Sequence, residues 1–338
     1  MRAAVVDDSS RGLRVATLPD PAPGPGELVL RVRAAGVCGT DLHLLGDPPA
    51  VPPGTVLGHE FAGEVAALGP GVDGWRVGDR VCALPYMACG ACTACRDGDS
   101  MGCTALRPIG SGDLPGAFAE YVRVGARETL RLPAGLGYDA GALVEPLAVG
   151  LHAVRTAAPR PGEHVVVLGA GAIGLAAASW ARAAGAAEVV VVDGLASRRA
   201  LAATFGATVV LDAADEDALF ALPDRLGGPP ALVIECVGAP GLLQQTIGLV
   251  RRRGRIVVAG ACMAPDAIVP AMACLKEVGL HFVVGYRRDE FADALAALAG
   301  GGVAGPAMIT DRVDLDALPA AFSALRRPIA QGKVLVCP

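Results

Sequence analysis

The most constraining feature of this sequence is a strand–turn–helix–strand passage between residues 164 and 193. Val165-Val-Val-Leu-Gly169-Ala-Gly171-Ala-Ile173-Gly174 joins a β-branched apolar run to an Ala-rich stretch at 173–184. A second such run, 188–193, ends on Asp193. Further β-branched runs at 231–236 and 255–259, with a helix candidate at 198–205, continue the alternation. Strands alternating with helices predict a doubly wound α/β domain around a parallel sheet.

Within that passage, G-x-G-x-x-G follows a strand and opens a helix, the context in which the motif has a physical meaning. One glycine permits the tight turn, another lets the backbone approach a pyrophosphate, and the third lets helix and strand pack closely. The helix N-terminus then stabilises the anion. Asp193 lies 19 residues beyond Gly174 at the end of the next strand, where an acidic side chain accepts hydrogen bonds from a ribose. The expected cofactor-binding residues are Gly169, Gly171, Ala172, Ile173, Gly174, Asp193 and Arg198. A carboxylate at 193 repels a 2′-phosphate. Like charges about 4 Å apart cost roughly 1–4 kcal/mol at water-like to protein-surface dielectric, about one to three orders of magnitude in affinity. Arg198 and Arg199 could turn toward such a phosphate, so NAD is expected over NADP without the pattern excluding the latter.

The flanking sequence differs in texture. Residues 28–34 (LVLRVRA) alternate apolar and charged side chains with period two, and 63–68, 80–84 and 118–124 look similar. Short strands among frequent Gly and Pro predict an irregular β-rich domain. Beyond residue 286 come helix-like stretches at 291–298 and 318–326 and a terminal strand at 333–336, with Gly300-Gly301-Gly302 as a loop. The expected division is 1–146 with 287–338, and 147–286 between them.

Composition narrows the function classes. Hydrophobic residues make up 53% and charged residues 19% of 338, which excludes a disordered chain. A net charge of −5 offers no general attraction for a phosphate backbone, so nucleic acid is not an expected partner. The longest uncharged apolar stretch, 165–181, is interrupted by three glycines and falls short of the roughly 20 residues that span a bilayer. At the N-terminus, Asp7-Asp8 stops the apolar run 3–6 before it reaches signal-peptide length. The expectation is a cytoplasmic protein, where clustered cysteines more often hold metal than form disulfides.

Two constellations have that character. Cys89, Cys92, Cys95 and Cys103 form C-x2-C-x2-C-x7-C in a small-residue lobe at about 86–106. Four thiolates so spaced can close a tetrahedral structural zinc site. The bacterial iron–sulfur run has three residues before its last cysteine and then proline; here there are seven and Thr104. The lobe carries Arg96 against Asp97 and Asp99, too little positive charge for a nucleic-acid knuckle. More dispersed are Cys38-Gly-Thr40-Asp41-Leu-His43 and Gly58-His59-Glu60. Their Cys, His and carboxylate side chains suit a zinc site with an open position, although Cys38 and His59 taken singly are more often core or loop residues than ligands, and spacing alone does not settle it.

Taken together, these motifs and Val144-Glu145-Pro146-Leu147 resemble the zinc-dependent medium-chain alcohol dehydrogenase superfamily, and within it the sorbitol/threonine (polyol) dehydrogenase-like branch. The resemblance spans essentially the whole chain. It implies a GroES-like catalytic domain built from both chain ends, with a Rossmann domain inserted between them. Two zinc ions per chain are implied. Cys38 and His59 match catalytic ligands, Glu60 and Glu145 match acidic positions used as alternating or water-linked ligands, and the four cysteines match the structural site. Asp41 matches a residue that orients His59, Thr40 the hydroxyl that bonds the substrate oxygen, and His43 a position in proton exchange with solvent. Glu145 stands where many alcohol dehydrogenases have cysteine, which favours the polyol branch.

The implied reaction is hydride transfer between a secondary alcohol (polyol, sugar, cyclitol or amino alcohol), or its ketone, and NAD(P), by a homodimer or homotetramer. A noncatalytic NAD(H)-binding regulator would not need Cys38, His59 and Glu145 together, and a zinc-free quinone-reductase-like enzyme would lack the ligand set. Tyr86, Leu114 and Tyr286 are the candidate pocket-lining residues.

Overall fold

Val165, Val166, Val167, Val189, Val190 and Val191 are all fully buried, as strands covered on both faces must be. A computed structural model describes residues 1–8, 12–46, 49–112, 114–327 and 332–338. It divides into two compact units. One comprises Met1–Glu145, Arg287–Gly300 and Ile309–Pro338; the other comprises Pro146–Tyr286 and Gly301–Met308.

Among the described residues of the second unit, six parallel strands form one sheet. Its order is Val209–Asp212, Glu188–Asp193, His164–Leu168, Leu232–Glu235, Arg255–Val258 and Gly279–Phe282. In chain order this is 3-2-1-4-5-6, the doubly wound arrangement that creates a ligand crevice where the winding reverses, beside the first strand. His164–Leu168 and Glu188–Asp193 coincide with the predicted runs, and the helix Ala172–Ala183 begins one residue earlier than expected. The next helix, Ala196–Ala202, is followed by a 3-10 turn at Ala203–Phe205 that ends on Gly206 in the left-handed region (φ 87°). The core joins Val166, Val190, Val233 and Ile256 on the strands to Ile247 and Leu222 on covering helices.

The first unit is organised around a β-sheet ordered Ile309–Val313, Lys333–Val336, Glu27–Gly36, Glu60–Leu68, Arg80–Ala83 and Thr129–Arg131, with Tyr121–Gly125 also pairing with Glu27–Gly36. The period-two segment at 28–34 is thus the middle of the longest strand, paired with Glu60–Leu68 on one side and, along residues 28–31, with Tyr121–Gly125 on the other. Leu28, Leu30, Phe61, Val65 and Phe118 anchor the core. Only the second half of the expected strand 118–124 is regular. Phe118 is held instead by backbone bonds to Ala4 and Leu57, because here the chain crosses to the ribbon formed by Arg2–Val6 and Leu13–Thr17. The C-terminal strands Ile309–Val313 and Lys333–Val336 thus join strands from residues 27–131, while Arg2–Val6 and Leu13–Thr17 form a separate two-stranded sheet. The consequence is a juncture of three strands, with Lys333, Gly36 and Glu60 at neighbouring strand ends.

Candidate metal centres and cofactor site

Cys38 caps the six-residue helix Gly39–Leu44. Its Sγ accepts a hydrogen bond from the Thr40 N–H at 3.5 Å, while its own N–H donates to Asp41 Oδ2 at 2.9 Å. The thiolate is the form of cysteine that ligates metal. The helix separates its functional side chains by face. Thr40 and His43, three residues apart, are exposed on one side; Asp41 is buried on the other.

There Asp41 Oδ1 faces His59 Nδ1 at 3.3 Å. One carboxylate therefore braces both the backbone that presents Cys38 and the imidazole of His59. With Nδ1 directed at Asp41, Nε2 is the nitrogen left for a metal, the usual second partner of a ligating histidine being a carboxylate. Burial opposes protonation of His59, but the charges of Asp41 and Cys38 outweigh it and hold the imidazole well above its ordinary range.

Ligand atoms of Cys38, His59 and Glu60 all lie within 4.8 Å of one another. This donor set fits zinc: a soft thiolate, an imidazole and a carboxylate. Glu145 is buried in the first turn of the helix Val144–Ala157 and falls outside that mutual group, although its charge acts on Lys333 nearby.

Lys333 was not among the sequence-derived site residues. Its Nζ donates to both oxygens of Glu60, at 2.7 and 2.8 Å, and to the Val37 carbonyl at 3.1 Å. Burial opposes its charge, but Glu60 and Cys38 outweigh this and raise its pKa. Gly36 was missed too: a Cβ there would come within 2.0 Å of Glu60 Oε2. The only local hint was a lysine opening an apolar terminal strand.

The four-cysteine lobe assembles as expected, with all four sulfurs within 4.8 Å of one another. Tetrahedral zinc–sulfur bonds of about 2.3 Å place sulfurs about 3.8 Å apart; Cys89 and Cys95 are separated by 4.0 Å. Backbone N–H groups of Ala91 and Cys92 point at the Cys89 sulfur, and those of Cys89 and Ala105 at the Cys103 sulfur. The Cys95 N–H, foremost, holds the Cys92 thiol down to about 6, whereas desolvation among its neighbours pushes Cys95 up to about 12. Sulfurs gathered this way and supplied with N–H donors are suited to bind a dication as thiolates.

In the parallel-sheet unit, a cavity of about 500 Å³ is lined by Gly169, Gly171, Asp193, Gly194 and Arg198 among others. The fingerprint glycines have three different surroundings. Gly169 turns at φ 95°, Gly171 has open space where a Cβ would stand, and a Cβ on Gly174 would meet the Gly169 carbonyl oxygen at 1.9 Å. No side chain caps the helix at Gly171, which leaves its N-terminus to an anion. Ala172 and Ile173 form that first turn. Asp193 accepts the N–H of Ala170 at 2.7 Å and that of Leu195 at 2.8 Å, so its carboxylate is fixed at the rim of the cavity. Arg199 is drawn away by Asp212 at 2.7 Å, whereas Arg198 lies 4.0 Å from Asp193. This arrangement fits a dinucleotide. The suggested pocket residues Tyr86, Leu114 and Tyr286 are all at most 3% exposed, and Leu114 packs within the hydrophobic core of the β-rich unit.

Comparison with known proteins agrees with this chemistry. The model of the alcohol dehydrogenase GroES-like domain matches residues 24–134, and that of zinc-binding dehydrogenases matches 172–301. The chain belongs to the zinc-containing alcohol dehydrogenase family. It is 32% identical to a sorbitol dehydrogenase of Bacillus subtilis, over 94% of this chain and 91% of the relative. Identity to the (R,R)-butanediol dehydrogenase of the same organism is 33%, with 98% of each covered. A solved zinc-binding dehydrogenase from Sinorhizobium meliloti, bound to NADP, superposes with a TM-score of 0.90 at 34% identity, covering 100% of this chain and 99% of that one. An alcohol dehydrogenase from Escherichia coli complexed with NADH gives 0.90 at 27%, with 100% and 99% covered. The protein is thus a zinc- and NAD(P)-dependent alcohol dehydrogenase (EC 1.1.1.-), which sets aside the noncatalytic regulator and the zinc-free reductase. No described helix is long and apolar enough to cross a membrane.

Proposed function

We propose that this enzyme interconverts a secondary alcohol bearing a neighbouring hydroxyl or amino group with its ketone, using NAD in preference to NADP. The observation that carries the reading is the Cys38–His59–Glu60 cluster braced by Asp41. Relatives named for sorbitol, (R,R)-butanediol and L-threonine support the substrate class, which here extends to polyols, sugars, cyclitols and amino alcohols.

Cys38 and His59, with Glu145 or Glu60, would hold the catalytic zinc; Cys89, Cys92, Cys95 and Cys103 would hold the structural one. Zinc supplies a Lewis acid that makes a hydroxyl far more acidic than in water, and the nicotinamide supplies the hydride acceptor. The chain's own residues handle the proton. Thr40, exposed beside Cys38 with its Oγ1 3.6 Å from Sγ, takes the hydroxyl proton into a hydrogen bond. His43, one turn along the same exposed face, relays it to solvent. Asp41 holds His59 in one orientation throughout. Asp193 supports the NAD preference, because its carboxylate would face a 2′-phosphate while Arg199 is tied to Asp212.

The resemblance also implies a homodimer or homotetramer. The exposed Phe282 and Val284, at and just beyond the free edge strand of the parallel sheet, support a subunit contact there.

A screen of polyols, amino alcohols and cyclitols with each cofactor, followed at the absorbance of reduced nicotinamide, tests the reading. Vicinally substituted secondary alcohols should turn over with NAD favoured by about one to three orders of magnitude. Activity confined to simple primary alcohols, or a preference for NADP, would overturn it. Cys38→Ser should abolish turnover and leave NADH binding intact.

A further inference from the structure

The four-cysteine lobe has a charge imbalance that its own residues do not correct. Thiolates at Cys89, Cys92, Cys95 and Cys103 around one dication leave a surplus of negative charge, and Arg96 against Asp97 and Asp99 adds to it. The N–H groups directed at the sulfurs carry no net charge. A countercharge has to come from outside residues 86–106.

Arg127 is placed to supply it. It lies in the turn between Tyr121–Gly125 and Thr129–Arg131. Its Nη2 donates to the Ala88 carbonyl at 2.6 Å, and its Nε and Nη2 donate to Glu128 Oε1 at 3.2 and 2.9 Å. Glu128 Oε1 also accepts the Ala88 N–H at 3.4 Å. Two adjacent residues of opposite charge thus hold both polar groups of the residue before Cys89. On the other side of Cys89, Gly90 turns at φ 75°, and Nη1 of Arg127 fills the place where its Cβ would stand. Glu128 takes the Nε–Nη2 edge of the guanidinium, so the Nη1 end is the one turned to the lobe. Burial opposes the guanidinium's charge, but Glu128 and then Cys95 and Cys89 outweigh it and raise its pKa. The turn itself is fixed, because Arg288 Nε donates to the Arg127 carbonyl at 3.1 Å and the buried Glu128 carboxylate fills the place of a Cβ on Gly125.

We propose that Arg127 is a positioning residue of the four-cysteine centre. Its guanidinium fixes the segment that presents Cys89 and offsets the surplus negative charge of the metal-loaded thiolates. This rests on the reading of the four cysteines as a zinc site. Arg127 ligates no metal in this role and acts through residues 88–90 and through its charge.

The test follows zinc loss from full-length, zinc-loaded protein in excess 1,10-phenanthroline, a neutral chelator. Iodoacetamide traps the freed thiols, and mass spectrometry of the peptides carrying Cys89, Cys92, Cys95 and Cys103 reads this centre alone. Arg127→Met should label these cysteines about 10–100-fold faster than wild type, the usual effect of removing a partner that orients a metal ligand. Arg127→Lys keeps the charge without the planar fork and should fall between the two. Arg127→Met/Glu128→Gln leaves no unpaired carboxylate and should still label as fast as Arg127→Met. NADH affinity should be unchanged in all three.

Wild-type labelling rates in Arg127→Met would overturn the proposal. So would restoration of the wild-type rate in Arg127→Met/Glu128→Gln, because Arg127 would then serve only to neutralise Glu128. Equal rates for Arg127→Lys and Arg127→Met would refute the part assigned to charge. If the wild-type lobe cysteines label at one rate with or without added zinc, the reading of the lobe as a zinc site fails. If zinc protects them equally in wild type and Arg127→Met, only the role of Arg127 fails.

Discussion

The three fingerprint glycines should fail in three different ways when replaced by alanine, and the separation is large enough to measure. A Cβ on Gly174 would lie 1.9 Å from the carbonyl oxygen and 2.9 Å from the carbonyl carbon of Gly169, both backbone atoms that cannot swing aside. Relief requires the helix Ala172–Ala183 to back away from its strand by more than an ångström, although Leu175, Ala176, Ala177, Ala178 and Ala181 are buried along it. Overpacking of this kind costs about 1–3 kcal/mol, offset by up to about 1 kcal/mol from the better helix propensity of alanine. The net loss of about 1–2 kcal/mol corresponds to a melting temperature lower by roughly 3–8 °C for a unit of this size. Gly171→Ala meets nothing within 4 Å and should melt within about 2 °C of wild type. Its methyl group would instead occupy the space needed by the pyrophosphate and weaken NADH binding by about tenfold or more, ~1.4 kcal/mol. Gly169→Ala combines the left-handed backbone (φ 95°) with a contact of 2.8 Å to Val237 Cγ2, and should lose both stability and affinity. Cofactor-free thermal melts and NADH fluorescence titrations measure the two effects separately. If Gly171→Ala melts as low as Gly174→Ala, or Gly174→Ala melts like wild type, the assignment of separate roles is wrong.

Cysteine reactivity should divide by environment. In metal-stripped protein at neutral pH, Cys92, held down to about 6 mainly by the Cys95 N–H, should label rapidly, while Cys82, pushed up to about 12 by burial, should stay unreactive; mass spectrometry of alkylated peptides reads both. Cys92→Ser should remove one equivalent of zinc and expose the lobe at 86–106 to limited proteolysis, while NADH affinity is unchanged. At Glu163, burial opposes the charge, but the Arg160 N–H and Arg255 outweigh it and lower the pKa below 4.5. Its contribution is therefore present above about pH 4.5 and lost as pH falls through the lower folded value. Glu163→Gln should cost about 1–2 kcal/mol at neutral pH and flatten the acid limb of the stability profile, as measured by urea melts across pH. Asp193→Asn should narrow the NAD-over-NADP ratio of kcat/KM and also lower the melting temperature, because the same carboxylate ties Ala170 to Leu195.

Much of the fold and part of the site were legible from the residues alone, for a physical reason. The glycine turn, the four-cysteine lobe and the strands His164–Leu168, Glu188–Asp193 and Lys333–Val336 depend on side chains close together in the chain. Backbone stereochemistry and short ligand spacings express them locally. Cys38 and Asp41 were legible as candidates for the same reason, being joined by one turn of helix.

Three-dimensional packing decided the rest. Asp41 reaches His59 only because helix Gly39–Leu44 and strand Glu60–Leu68 flank the same end of Glu27–Gly36. Lys333 and Glu60 are 273 residues apart and meet through the register of three strands, which no local pattern encodes. No local pattern marks Gly36, because what requires glycine there is the Glu60 carboxylate of a neighbouring strand, which fills the place of a side chain. The residue types set which chemistry was available. The pairing of distant strands determined which carboxylate lies beside Cys38 and His59 and which ammonium holds it, since a buried charge takes whatever partner the fold delivers.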